Sequence, residues 1–190
     1  MGTEQPPDYY DAHMERFLAP YEESIWKQVY DATVTLMPEE RSQLVVDVGC
    51  GTGRLAEALR LQGYENYIGF DFAPARIAEA RRYLPSHDFR VLDAFSDEAA
   101  SLTASADVVA ITEMLEHIED DLKLLAVIPA GRTIVFSVPN FGGPTHVRKF
   151  KSVDEVLARY SGLIEIDVPD AITVTKKSGS LTFVCRGRRR

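Results

Sequence analysis

An apolar run that breaks into three alternating glycines is the tightest constraint on how this chain can fold. Residues 44–53 read LVVDVGCGTG, and residues 54–63, RLAEALRLQG, follow without a gap. A short apolar run bounded by a turn suits a strand buried on both faces. The next segment carries helical periodicity and closes on Gly63. A strand, a glycine turn and a helix in immediate succession form the front half of a βαβ unit. Such a strand must be covered by helices on both sides.

The same texture returns along the chain. Strands are expected at 67–71, 88–93, 106–112 and 132–139. Helices are expected at 74–84, where Pro74 opens the first turn, and at 119–128. A third covers 152–161, where Ser152 and Glu155 fit a capping box. Residues 163–175 and 181–187 read as two strands around the turn KKSGS, an antiparallel hairpin at one edge. Alternating strands and helices predict a doubly wound α/β domain with a mostly parallel sheet. Residues 44–190 form this core. Residues 1–43 form an N-terminal lid segment with a helix over 22–37, where Ile25, Val29, Ala32 and Leu36 recur at helical spacing. The lid is aromatic. Trp26 and Tyr30 suit packing against the sheet, and Tyr9 and Tyr10 suit closing over a ligand.

Composition narrows the partners. The 190 residues carry a net charge of −8, which disfavours broad binding to a phosphate backbone. The basic end, Arg186 to Arg190, reads as a solvated terminus. Cys50 and Cys185 have neither zinc-site nor disulfide-framework spacing. No apolar stretch reaches the roughly 20 residues of a membrane helix. The polar, acidic start lacks the character of a secretory leader, so the expected compartment is the cytoplasm.

In a doubly wound sheet, ligands sit at the carboxyl ends of the strands. Three acidic positions fall there. Asp47 precedes the glycines, Asp71 ends the second strand and Asp93-Ala94 ends the third. A dinucleotide site wants G-x-G-x-x-G, whereas this turn is G-x-G-x-G and follows an acid that would repel a pyrophosphate. Asp71 can accept hydrogen bonds from both hydroxyls of a ribose, and Asp93-Ala94 can meet an adenine amino group. A ligand with adenine, ribose and a cationic tail fits, and S-adenosylmethionine has all three.

The stretch from Leu44 to Val138 resembles the class I S-adenosylmethionine-dependent methyltransferases through DVGCGTG, YIGFDFAP and RVLDAF, in that order. The resemblance implies a Rossmann-like seven-stranded sheet whose last strand is inserted antiparallel. It implies that Asp47, Gly49, Cys50, Gly51 and Gly53 run beside the methionine part, the part over which Tyr10 of the lid is expected to close. Asp71 would bind the ribose. Phe72, Asp93, Ala94 and Phe95 would border the adenine, and Glu113 would lie beneath the methionine end.

A second stretch, ITEMLEH at 111–117, resembles the E-M-L-E-H segment of ubiquinone-type O-methyltransferases. A similar E-x-x-E-H occurs in enzymes that methylate small-RNA 3′ ends. Both resemblances imply a divalent metal near the methyl acceptor, with Glu113, Glu116, His117 and, beyond the fifth strand, His146 as candidate ligands. Without a metal, His117 or His146 is the candidate general base, with Glu113 beside them. His87 in the turn PSHD and His13 in the lid are weaker candidates. No large insertion follows the fifth strand, so a small-molecule acceptor, methylated on oxygen, is the leading expectation. An RNA 3′ end or an amine acceptor stands as an alternative, and so does a non-enzymatic cofactor-binding module.

Overall fold

The computed structural model describes residues 2–167, 172–175 and 179–190. Its helices are α1 (Pro7–Ala12), α2 (Lys27–Thr35), α3 (Arg54–Leu61), α4 (Pro74–Tyr83), α5 (Asp97–Ser105), α6 (Asp121–Val127) and α7 (Val153–Tyr160). Its strands are β1 (Val45–Val48), β2 (Tyr67–Asp71), β3 (Asp88–Val91), β4 (Val108–Ile111), β5 (Thr133–Pro139), β6 (Ile164–Ile166), β7 (Ile172–Thr175) and β8 (Leu181–Arg189). The sheet runs β3-β2-β1-β4-β5-β8-β6, with β7 also on β8. β6 and β7 share one position, because they pair with opposite ends of β8. Among the described residues, eight strands thus fill seven places. Pairings among β1 to β5 are parallel, and those with β8 are antiparallel.

Side-chain parity divides the core between two faces. Val46, Val48, Val109, Ile111, Ile134 and Phe136 pack with residues of α5, α6 and α7. Val45, Val108, Ala110 and Val135 pack with residues of α2, α3 and α4. The expected architecture holds: a doubly wound, mostly parallel sheet with an antiparallel C-terminal part. Among the described residues, no helix is long and apolar enough to cross a membrane.

Four local expectations change. α5 was not foreseen, because DEAASLTAS is poor in large apolar residues; Ser96 caps it by accepting from Ala99 N at 3.2 Å. The expected helix over 22–37 begins only at Lys27, after a 3-10 turn at Tyr21–Glu23, and Ile25 is exposed while Val29, Ala32 and Leu36 are buried. The single strand expected over 163–175 is divided into β6 and β7; residues 168–171 and 176–178, the latter in the KKSGS turn, lie outside the described residues. The basic end is not a free terminus. Arg189 donates to the carbonyls of Leu125 and Ala126 and Arg190 to that of Ser161, so both cap the C-terminal ends of α6 and α7.

Candidate functional site

The strand order reverses between β1 and β4, and a cleft opens above the carboxyl ends there. Its floor is the glycine turn. Gly49, Gly51 and Gly53 have φ of 75°, 53° and 79°, a region that side chains rarely adopt. The amides of Gly49 and Cys50 donate to Phe70 O at 2.8 and 3.0 Å, tying the turn to β2. A side chain on Gly51 would point into the cleft toward Arg76. One on Gly53 would strike Phe89 and Ala80, so Gly53 serves the contact of α3 with its neighbours and lies off the cleft wall.

Asp71 anchors the turn. Its carboxylate accepts from Gly51 N at 3.0 Å and from Ala73 N at 2.9 Å. Two oxygens hold about four acceptor sites, so lone pairs remain for a ligand. Burial pushes its pKa up, opposed chiefly by the Arg76 guanidinium and the two amides. Asp47 is placed differently from the expectation. It shares the parity of Val45, faces the α2–α4 side, and accepts from the Tyr67 hydroxyl at 2.7 Å. Burial raises its carboxyl to about 7, and it is not part of the cleft wall. Phe72, Asp93, Ala94 and Phe95 line the far end, where Asp93 accepts from Phe95 N at 2.9 Å.

Glu113 lies where β4 turns away, with φ of 51°. Its amide donates to Ser137 Oγ at 2.8 Å, and its carboxylate accepts from Ser137 Oγ at 3.3 Å and Trp26 Nε1 at 3.1 Å. Trp26, expected to pack on the sheet, instead stacks on Phe17 at 4.8 Å and closes the cleft over Glu113.

Two further turns bring the histidines together. Leu115–His117 is a 3-10 turn, and His117 Nδ1 lies 3.0 Å from Thr145 O. His146 Nδ1 lies 3.0 Å from Phe141 O. A carbonyl only accepts, so each Nδ1 carries a proton. The rings stand perpendicular, 4.7 Å between centroids. One ligand atom from each of Glu116, His117 and His146 falls within 4.8 Å of the other two. Burial, aided by His146, lowers His117 to about 4, so it is neutral at pH 7. Glu113 is outside this group of three. His13 hydrogen-bonds Tyr9 O at 2.7 Å, exposed, and His87 sits among Tyr67 and Phe89 away from the cleft.

The N-terminal segment forms the roof. Gly2 N and Thr3 N donate to His146 O and Pro144 O, and Asp11 accepts from Ala75 N at the start of α4. Thr52 Oγ1 donates to Phe17 O, and Arg54 donates to the carbonyls of Leu18 and Ala19. Tyr10 lies 5.5 Å from the Phe72 ring and 6.0 Å from that of His117, with Arg76 4.7 Å over its face. The sequence reading named Tyr10 but missed Arg54, Arg76 and Ser137. Only Arg54 had a signal, its place directly after the glycine motif. The cleft has a volume of about 1300 Å³. A single small-ligand pocket spans roughly 300–1,000 Å³, so there is room for two molecules end to end.

Comparisons with known proteins agree with this geometry. A family described as a methyltransferase domain matches residues 10–165. A ubiquinone biosynthesis O-methyltransferase of Xylella fastidiosa is 38% identical over 103 residues, 50% of this chain and 41% of that protein. The chain spans about half the length of the curated relatives it matches. The magnesium protoporphyrin IX methyltransferase of Synechocystis, solved with S-adenosylmethionine, superposes with a TM-score of 0.71 at 17% identity, covering 97% of this chain and 95% of that one. A methyltransferase solved with the Haloferax volcanii Trm112 activator gives 0.75 at 18% identity, covering 97% of each chain.

Proposed function

The chain belongs to the class I S-adenosylmethionine-dependent methyltransferases, and from that membership we propose that it methylates a hydroxyl oxygen of a small molecule. The observation that carries this reading is the group of Glu116, His117 and His146 at the Glu113 end of the cleft. Asp71 holds the ribose hydroxyls, Phe72, Ala94 and Phe95 border the adenine, and the glycine turn runs under the methionine part. Tyr10 and Trp26 exclude water above it.

Methyl transfer is an in-line displacement at the sulfonium carbon. The thioether leaving group is neutral, so no acid is needed. The acceptor must be aligned and deprotonated, and an alcohol or phenol, with pKa near 10 or above, needs help with the proton. Two imidazoles and a carboxylate converge where that proton would leave. The same donor set suits a divalent ion: imidazoles whose Nδ1–H is fixed by a carbonyl, beside a buried carboxylate. Bound by Glu116, His117 and His146, such an ion supplies Lewis acidity that lowers the acceptor's pKa. The curated relatives' names support oxygen as the acceptor atom. The net charge of −8 disfavours a nucleic acid.

Calorimetry with S-adenosylhomocysteine, followed by methyl transfer to panels of phenols and amines with and without chelator, tests the reading. Turnover of phenols that falls with chelator and returns with a divalent ion is expected. Turnover of amines alone, insensitive to chelator, would overturn the oxygen assignment.

A further inference from the structure

His117 and His146 are 29 residues apart in sequence, and neither lies on a helix or strand longer than one turn. Something must hold their two loops in register. Arg148 follows two residues after His146. Its guanidinium donates to the carbonyls of Leu115 and Ile118, and to that of Glu119 at 2.9 Å. Those carbonyls belong to the turn that carries Glu116 and His117 and to the two residues that follow it. Val147 N donates to Glu116 O at 2.8 Å, and Thr145 O meets His117 Nδ1. Residues 145, 147 and 148 therefore clasp residues 115–119 while His146 faces the cleft.

Arg148 is itself held. Its Nε lies 3.3 Å from an oxygen of Asp121, a fully buried carboxylate at the start of α6. Asp121 also accepts from Arg159 at 2.7 and 2.6 Å and from the Tyr160 hydroxyl at 2.8 Å, both on α7. The chain of contacts runs from α7 through Asp121 and Arg148 to the turn. A planar fork with five donors can serve a carboxylate and three carbonyls together, and an ammonium with three cannot. The cofactor end does not depend on this network, since Glu113 is fixed by Ser137 and Trp26.

We propose that Arg148, fixed by Asp121, is the positioning residue that holds the turn of His117 against the loop of His146 and so presents both imidazoles to the cleft. The proposal rests on the reading that this pair serves the methyl acceptor, but its test does not require turnover. Imidazole 15N shifts distinguish a proton on Nδ1 from one on Nε2. The wild type should show His117 as a single neutral tautomer with the proton on Nδ1. In Arg148→Met, His117 should become a mixture of tautomers, and Mn2+ affinity should fall by about tenfold to a hundredfold, as for lost outer-shell partners. Affinity for S-adenosylhomocysteine should not change. Arg148→Lys, which keeps the charge beside Asp121 but not the fork, should lie between, and it carries the same readouts if the Met variant does not fold. If wild-type protein takes up no Mn2+, the metal reading fails and the tautomers alone decide the positioning. Unchanged tautomers in Arg148→Met, or a parallel loss of S-adenosylhomocysteine affinity, would overturn the proposal.

Discussion

The two ends of the cleft are built by different means. The end proposed for the cofactor is a strand end, a glycine turn and a carboxylate, joined by backbone amides over short distances: Gly49 and Cys50 to Phe70, Gly51 and Ala73 to Asp71. The end proposed for the methyl acceptor is assembled from the turn after β4, the loop after β5 and the start of the chain. Its histidines are fixed by carbonyls of Thr145 and Phe141. The first end depends on what side chains must be absent. The second depends on which loops meet. A residue in the first should therefore fail through sterics or lost ligand contacts, and one in the second through lost geometry.

The harshest way to probe the contrast is Gly51→Val. Its φ of 53° and its exposure to the cleft put strain and bulk where the ligand must lie. Binding of S-adenosylhomocysteine should be abolished in a folded, less stable protein, and calorimetry showing tight binding would break the assignment of this turn. Next in size are His117→Ala and His146→Ala. Each should weaken Mn2+ by at least about a hundredfold, beyond the effect of an outer-shell change, and leave S-adenosylhomocysteine affinity intact. The double variant should be little worse than either, because one site is being dismantled. Additive losses would mean the histidines act separately.

Asp71→Ala removes hydrogen bonds to a charged acceptor, at a cost of about 1.5–3 kcal/mol in cofactor affinity. That corresponds to roughly ten- to a hundred-and-fifty-fold. A correctly folded variant that binds as the wild type does would remove Asp71 from the site.

Asp47→Asn should change stability instead of binding. The folded-state carboxyl titrates at about 7, above its ordinary value of 3.8. The folded state thus holds the proton more tightly, so the stability it contributes is complete below the ordinary value and is lost as pH rises to about 7. Between pH 5 and pH 8 the wild type should lose on the order of 2 kcal/mol relative to the Asn variant. Urea unfolding at both pH values measures it. Parallel pH profiles, or a large loss of cofactor affinity, would return Asp47 to the cleft.

Much of the glycine turn and its strand ends was legible in the sequence, because it is local. Glycines tolerate positive φ, apolar runs bury strands, and an acid ending β2 faces the switch point. Asp47 shows the limit, since only the sheet reveals that its parity directs it to Tyr67. Trp26 shows another: helical spacing around it suggested sheet packing, yet α2 begins one residue later and frees the ring to cover Glu113.

The sequence by itself determined the order of elements, the parallel core and the glycine turn, since each follows from short-range periodicity and backbone freedom. It also brought His117 and His146 to one edge of the sheet. Tertiary structure alone decided which groups meet there: that Glu116 joins the histidines while Glu113 turns to Ser137 and Trp26, and that the terminal arginines cap helices. Those choices are made by hydrogen bonds between loops far apart in the chain. A carbonyl is the same chemical group at every position, so no residue pattern marks which one will hold an imidazole.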